Sequence, residues 1–203
     1  MADRDVKSDA SDEAQFSDDI DTSGSDRHSG NLTLIMGEPM ATVAQMTAYA
    51  LGVNPAPKLP SCTVKQLAEM FLEEGRAEGV RGDVAWAQSL LETGYFRYGR
   101  IVTPDMNNYS GIGALYEDQP GVAAHFDSPM LGVRAQIQHL KAYATDEPLN
   151  GECVDPRFHL VVRGSAPYVE WLGAADNPSG RGWAFPGGGY GAGIAAILGR
   201  MLV

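Results

Sequence analysis

Glycine and proline break this 203-residue chain into a few windows in which a helix can run, and their placement limits the fold more than any other feature. Gly52 ends a first window near residues 40–52, where Val43, Met46, Tyr49 and Ala50 recur at helical spacing. Asn54-Pro-Ala-Pro-Lys-Leu-Pro60 then reads as a stiff, extended linker. Thr63-Val-Lys-Gln66 is a capping-box pattern, opening a helix that carries Leu67, Met70 and Phe71 and ends before Gly79. Asp83 suits the N-cap of a third helix, Val84 to Thr93, stopped by Gly94. Residues 95–130 are rich in Gly, Asn, Pro and Tyr, which suits short strands and loops better than long helices. Val133, Ile137, Leu140 and Ala144 mark a fourth helix, and a last one starts near Ala192. The expected class is mainly α (α+β), with a small irregular or β lobe in the middle and no internal repeat.

Charge divides the chain. Residues 1–30 hold nine acids against three bases, more than half of the net charge of −11. That stretch is almost free of large apolar residues, so residues 1–31 read as a disordered acidic tail. Residues 32–60 read as a leader helix and Pro-rich linker, and 61–203 as the main domain. The remaining chain shows no clustered basic face, which argues against a nucleic-acid partner. Its apolar runs are too short to span a bilayer. Met1–Ile20 has acids throughout and lacks the apolar core of a secretory signal. Cys62 and Cys153 show no metal-like spacing; they are either two unreactive thiols or one disulfide. Four scattered histidines without a His-x-x-x-His pair argue against a metal site, and no motif implies a cofactor. His139 reads as a structural hydrogen-bonder.

Glu92 is the acid that carries chemistry. It sits in the last turn of an apolar helix, against the negative end of the helix dipole, which disfavours ionisation. Trp86, Leu90, Leu91, Tyr95 and Phe96 are close in sequence and add desolvation. Both effects raise a carboxyl pKa, as a general acid working near neutral pH requires. A surface glutamate on an ordinary helix is the plainer alternative. Tyr190 is the other residue that stands out. It is the one sizeable side chain between Pro186 and Ile194, with Gly187, Gly188 and Gly189 before it and Gly191 and Gly193 after. Such freedom lets the chain bring Tyr190 to another surface, and the expected surface is the cleft of Glu92.

Arg81-Gly-Asp-Val-Ala-Trp-Ala-Gln-Ser-Leu-Leu-Glu-Thr-Gly-Tyr-Phe96 resembles the catalytic helix of the glucosaminidases of glycoside hydrolase family 73. Asn107-Asn-Tyr-Ser-Gly-Ile-Gly-Ala114 is similar to the segment that comes after it in that family, and Gly132-Val-Arg-Ala-Gln-Ile-Gln-His-Leu-Lys-Ala-Tyr-Ala144 to the next helix. Val154-Asp-Pro-Arg-Phe158, Arg163-Gly-Ser-Ala-Pro-Tyr168, Gly182-Trp183 and Tyr190-Gly191 continue the likeness in order, over roughly residues 61–200. The resemblance implies a lysozyme-like α fold with a small β lobe, cleaving the β-1,4 bond after N-acetylglucosamine in peptidoglycan. It places Glu92 on the family's catalytic glutamate and Tyr190 on its active-site tyrosine. Glu117 is the candidate second carboxylate, with Asp118 beside it and Asp127 behind, unless that acidic loop is simply solvated. Tyr95, Asn108, Tyr109 and Tyr168, together with Trp171, are candidates for contacting sugar, though each aromatic ring suits a core equally well.

The expected partner is therefore peptidoglycan glycan strands, engaged by a monomer without cofactor or membrane. The location that substrate implies is extracellular or the cell wall, by an export route such as phage or mobile-element delivery. A muramidase or lytic transglycosylase on the same fold, and a non-catalytic wall-binding module, are the rival readings.

Overall fold

A helix buried on every side organises the molecule. In the computed structural model, which describes residues 32–99, 101–114 and 123–203, every residue from Gly82 to Leu90 is buried. A helix without a solvent face must be enclosed by others. Five α-helices run in chain order: α1 (Val43–Val53), α2 (Val64–Glu78), α3 (Gly82–Glu92), α4 (Pro129–Ala144) and α5 (Tyr190–Met201). The enclosed helix is α3, and the other four all contact it. Short 3₁₀ turns lie at Pro104–Met106, Phe158–Leu160 and Val169–Leu172.

Local chemistry sets the helix starts. Thr42 and Thr63 each accept from the backbone N–H three residues on, while Gln45 and Gln66 reach back, so both α1 and α2 begin with a full capping box. Asp83 does not cap α3, as its sequence position suggests. Arg81 occupies that position, and the Asp83 carboxylate instead accepts from the N–H groups of Met40 and Ala41 and pairs with Arg81 at 3.0 Å. At the far end of the chain α5 begins at Tyr190, two residues earlier than the apolar pattern alone indicates.

The core packs round Trp86 of α3. Phe71 and Phe96 meet its ring at centroid distances of 5.5 and 5.3 Å, and Tyr109 closes the cluster against both of them. A smaller apolar group of Ile112, Phe126 and Ala135 lies under the loops before α4. Two charge pairs join α2 to α4. Arg134 grips Glu74 with two bonds of 2.9 Å, and Lys141 meets Glu78 at 2.9 Å with both side chains almost fully buried. The Glu78 carboxyl is pushed up by burial but pulled further down by the N–H groups of Asn150 and Gly151 and by Lys141, so it stays below its ordinary range.

The fold is mainly helical. Among the described residues the only β pairing is three isolated bridges: Leu34 with Tyr168, Met36 with Val80, and Gly173 with Ala184. The described part of residues 95–130 forms turns and one 3₁₀ turn rather than strands, because its side chains bond their own backbone. No helix among the described residues is long and apolar enough to cross a membrane.

The sequence boundary at Ser61 does not separate a linker from a domain. The compact unit runs from Leu32 to Val203. Ile35 and Met46 are fully buried in the main core, and Ala41 and Ala50 nearly so. The Pro-rich stretch is a strap rather than a spacer: Asn54 and Lys58 donate to the carbonyls of Tyr95 and Phe96 at 2.7 and 2.9 Å. The acidic stretch 1–31 lies outside the described residues.

If residues 32–60 belong to this core, Met46→Ala should cost about 2–5 kcal/mol, the range for truncating a fully buried side chain. Denaturant unfolding measures it. A loss under about 0.5 kcal/mol, as at a surface position, would return the segment to the status of a leader.

Candidate active site

Glu92 is the last residue of α3, and the turn after it is unusual. Gly94, Tyr95 and Phe96 have φ of 57°, 59° and 60°, three successive residues in the left-handed region. For tyrosine and phenylalanine this conformation costs roughly 1–2 kcal/mol per residue, so surrounding bonds must hold it. Thr93 supplies one set: its hydroxyl donates to the Ser89 carbonyl at 2.7 Å and accepts from the Phe96 N–H at 2.9 Å. The strap supplies the other, through Asn54 and Lys58. The turn ends α3 abruptly and leaves Glu92 at the end of a helix that is enclosed from Gly82 to Leu90.

Tyr190 arrives from the opposite end of the chain. It is the first residue of α5, and the next residue must be glycine. A Cβ on Gly191 would stand 2.1 Å from the Val169 carbonyl oxygen, so only a bare backbone lets α5 seat on the 169–172 turn. Seated there, the Tyr190 hydroxyl donates a short hydrogen bond to Glu92 Oε1. It also accepts from Gln88 Nε2 at 2.9 Å. Gln88 is one turn before Glu92 on α3, and its Oε1 accepts from Gln136 Nε2 of α4 at 2.8 Å. Both glutamines are fully buried.

The other wall is the loop 107–114. Asn108 organises it, donating to the Ile112 and Ala124 carbonyls and accepting from the Ile112 N–H. The loop carries Gly111, with φ of 72°, to a point where a Cβ would be 3.6 Å from Glu92 Oε2. The positive φ is what suits glycine there, since a Cβ would only reach ordinary contact distance from the carboxyl.

Glu92 lies at the surface, yet the protein packed about its carboxyl pushes the pKa above the ordinary glutamate value. The Tyr190 bond, which favours the charged form, offsets part of that rise. Tyr190 itself is held well above the usual phenol value by burial, by the Glu92 charge and by the bond to it. It is therefore a protonated donor across the working range. Burial and Tyr190 are the influences on Glu92; among the described residues no second acid perturbs it.

The remaining candidates scatter. Tyr109 is 2% exposed and belongs to the aromatic core, and Asn108 is 1% exposed with its amide fully engaged, so neither presents a surface to a sugar. Tyr95 is half-buried, its hydroxyl 3.4 Å from that of Tyr49, which accepts from Arg200. Tyr168 stacks edgewise on Trp171 at 4.9 Å and takes no part in the hydrogen bonds at Glu92. Asp127 is exposed just before α4. Glu117 and Asp118 lie outside the described residues. Cys62 and Cys153 are both free: Cys62 neighbours Tyr109 while Cys153 donates to the Asp155 carbonyl, so no disulfide joins them. His139 bonds Asp155 at 2.6 Å and packs on Trp183, tying α4 to the chain before α5. An open pocket between Tyr143, Leu160, Val162, Arg181 and Phe185 includes neither Glu92 nor Tyr190. The residues that sequence reasoning missed are Gln88 and Gln136. Their signal was a pair of amides placed among apolar neighbours on helices that have to be buried.

Tyr190→Phe removes a bond that favours ionised Glu92, so the Glu92 titration midpoint should rise. Carboxyl carbon shifts followed by NMR against pH would show it, and a fall or no change would separate Tyr190 from the acid.

Comparison with known proteins finds a relative but shows no family. The chain is 41% identical over 124 residues to an uncharacterized protein of Borreliella burgdorferi, a match covering 61% of this chain and 59% of that protein. The chain thus spans less than two thirds of its relative's length. No family model and no solved structure matches it.

Proposed function

We propose that this chain is a peptidoglycan hydrolase, an endo-β-N-acetylglucosaminidase on a lysozyme-like fold, with Glu92 as the proton donor. The observation that carries the reading is the hydrogen bond between Tyr190 and Glu92. Two residues 98 positions apart meet at the end of a buried helix, on a carboxyl whose pKa is raised. A carboxyl in that condition holds its proton to higher pH than an ordinary glutamate and can deliver it to a leaving glycosidic oxygen. Oε2, the carboxyl oxygen that does not accept from Tyr190, lies beside Gly111. The charge that grows on the sugar then needs a partner: Glu117, Tyr190, or the acetamido oxygen of the substrate itself.

A lytic transglycosylase on the same fold is the second reading, since a single acid suffices for that reaction and Glu92 is an acid whose pKa is raised. The products distinguish the two, a reducing N-acetylglucosamine end against an anhydro sugar.

The test is Glu92→Gln on purified cell walls, which should lower hydrolysis by about 10²–10⁴-fold. Stability should move the other way. A carboxyl whose pKa rises on folding binds its proton more tightly in the native state, so stability falls as pH climbs from the unfolded pKa through the folded one. At neutral pH the glutamine variant should therefore melt no lower than wild type. Activity within a few fold of wild type would refute the assignment.

A further inference from the structure

We propose that Gln88 and Gln136 are positioning residues that set the direction of the hydrogen bonds at Glu92, so that the transferable proton sits on Oε2, facing Gly111. The inference rests on the reading of Glu92 as the acid and names how the protein prepares it. Its basis is which atoms are able to donate. The anchor is the backbone carbonyl of Ala85, 2.9 Å from the Gln136 side chain. A carbonyl only accepts, so the Gln136 amide must turn its nitrogen towards it. The second N–H of that nitrogen points at Gln88, 2.8 Å away, and the atom receiving it must be the Gln88 oxygen.

Gln88 then has only its own N–H₂ to offer Tyr190, at 2.9 Å. Nitrogen of an amide does not accept, so the Tyr190 proton cannot point back. Its acceptor is Glu92 Oε1. An oxygen that already accepts from a phenol is a poor place for the carboxyl proton. The proton of the acid form is left to Oε2, the oxygen beside Gly111.

The chain of amides is costly to keep. Gln136 Oε1 is buried with no partner, and leaving a buried acceptor unsatisfied opposes folding. A residue kept only for packing would be apolar here, as Val133 and Ile137 are on the same helix. The Ala85 carbonyl fixes the amide this way round even though its oxygen is left without a partner.

The decisive variant is Gln136→Met, which keeps the volume and touches neither Glu92 nor the cleft. Freed from Gln136, the Gln88 amide can flip and present its oxygen to Tyr190 as a rival acceptor. Glu92 then loses part of a bond that favours its charged form. Its titration midpoint, followed by carboxyl carbon NMR, should rise towards that of Tyr190→Phe, and kcat should fall with KM little changed. Adding Gln88→Met removes the rival acceptor, so the double variant should return most of the way to wild type. A merely structural role predicts the reverse, with the double variant worse than either single one. In the wild-type protein the Gln88 side-chain amide protons should titrate together with Glu92, a measurement that needs no variant to fold. A Gln136→Met midpoint equal to wild type, a double variant worse than the single, or Gln88 amide protons blind to Glu92 would each overturn the proposal. Because these titrations do not depend on wall hydrolysis, absence of activity in the wild type would refute the proposed function and leave the relay standing.

Discussion

A phenol hydroxyl held against a carboxyl joins the first half of this chain to its end, and most of the architecture serves that contact. Glu92 can reach Tyr190 only because α3 stops where it does. Tyr190 can reach Glu92 only because α5 seats closely on the 169–172 turn through Gly191. Neither helix terminus is held by its own sequence alone. The left-handed turn after Glu92 is locked by Thr93 from inside and by Asn54 and Lys58 from outside. The segment before Ser61 therefore contributes to the candidate site without entering it.

The parts of the molecule that were legible in the sequence are those with local causes. The Thr63 capping box forms as its spacing predicts, and Gly94 stands just past the end of α3. Glu92 was legible for the same reason, being a charge at the end of an apolar helix. Tyr190 could be read from the glycines around it, which fit no ordinary core pattern. Where the sequence misled, a long-range partner decided. Asp83 has the composition of an N-cap, but its carboxylate is taken by Arg81 and by the backbone of residues 40 and 41. Asn108 and Tyr109 were candidates for contacting sugar, with a core place equally open to Tyr109; the ring completes the cluster around Phe71 and Phe96, and the amide is used up inside the loop. Residues 54–60 read as a linker because prolines stiffen linkers and straps alike; only the carbonyls of Tyr95 and Phe96 distinguish the two.

The glutamines were illegible for a deeper reason. A buried amide is neutral and gives no charge pattern, and its value depends on which end faces which neighbour. That orientation is a property of the whole network. It begins at a backbone carbonyl of α3, crosses to α4, returns to α3 and ends on α5, so no window of sequence contains it.

These features share an energetic character. A left-handed turn at two aromatic residues, a carboxyl with a raised pKa and an orphaned amide oxygen each oppose folding, and all three belong to the turn or the hydrogen-bond chain that meet at Glu92. The acids buried elsewhere are treated differently. Glu78 and Glu74 are each paired with a cation, Asp83 has Arg81, and Asp155 has His139 and the Arg157 N–H. Where Glu74, Glu78 and Asp83 are each given a cation, Glu92 is given a phenol, which steadies its charge without cancelling it. A cation in place of Tyr190 would hold the carboxylate ionised and stabilise the fold, but it would also remove the proton a general acid must carry. The site therefore keeps a tension that a stabilising substitution could relieve, which is the pattern expected where function and stability compete.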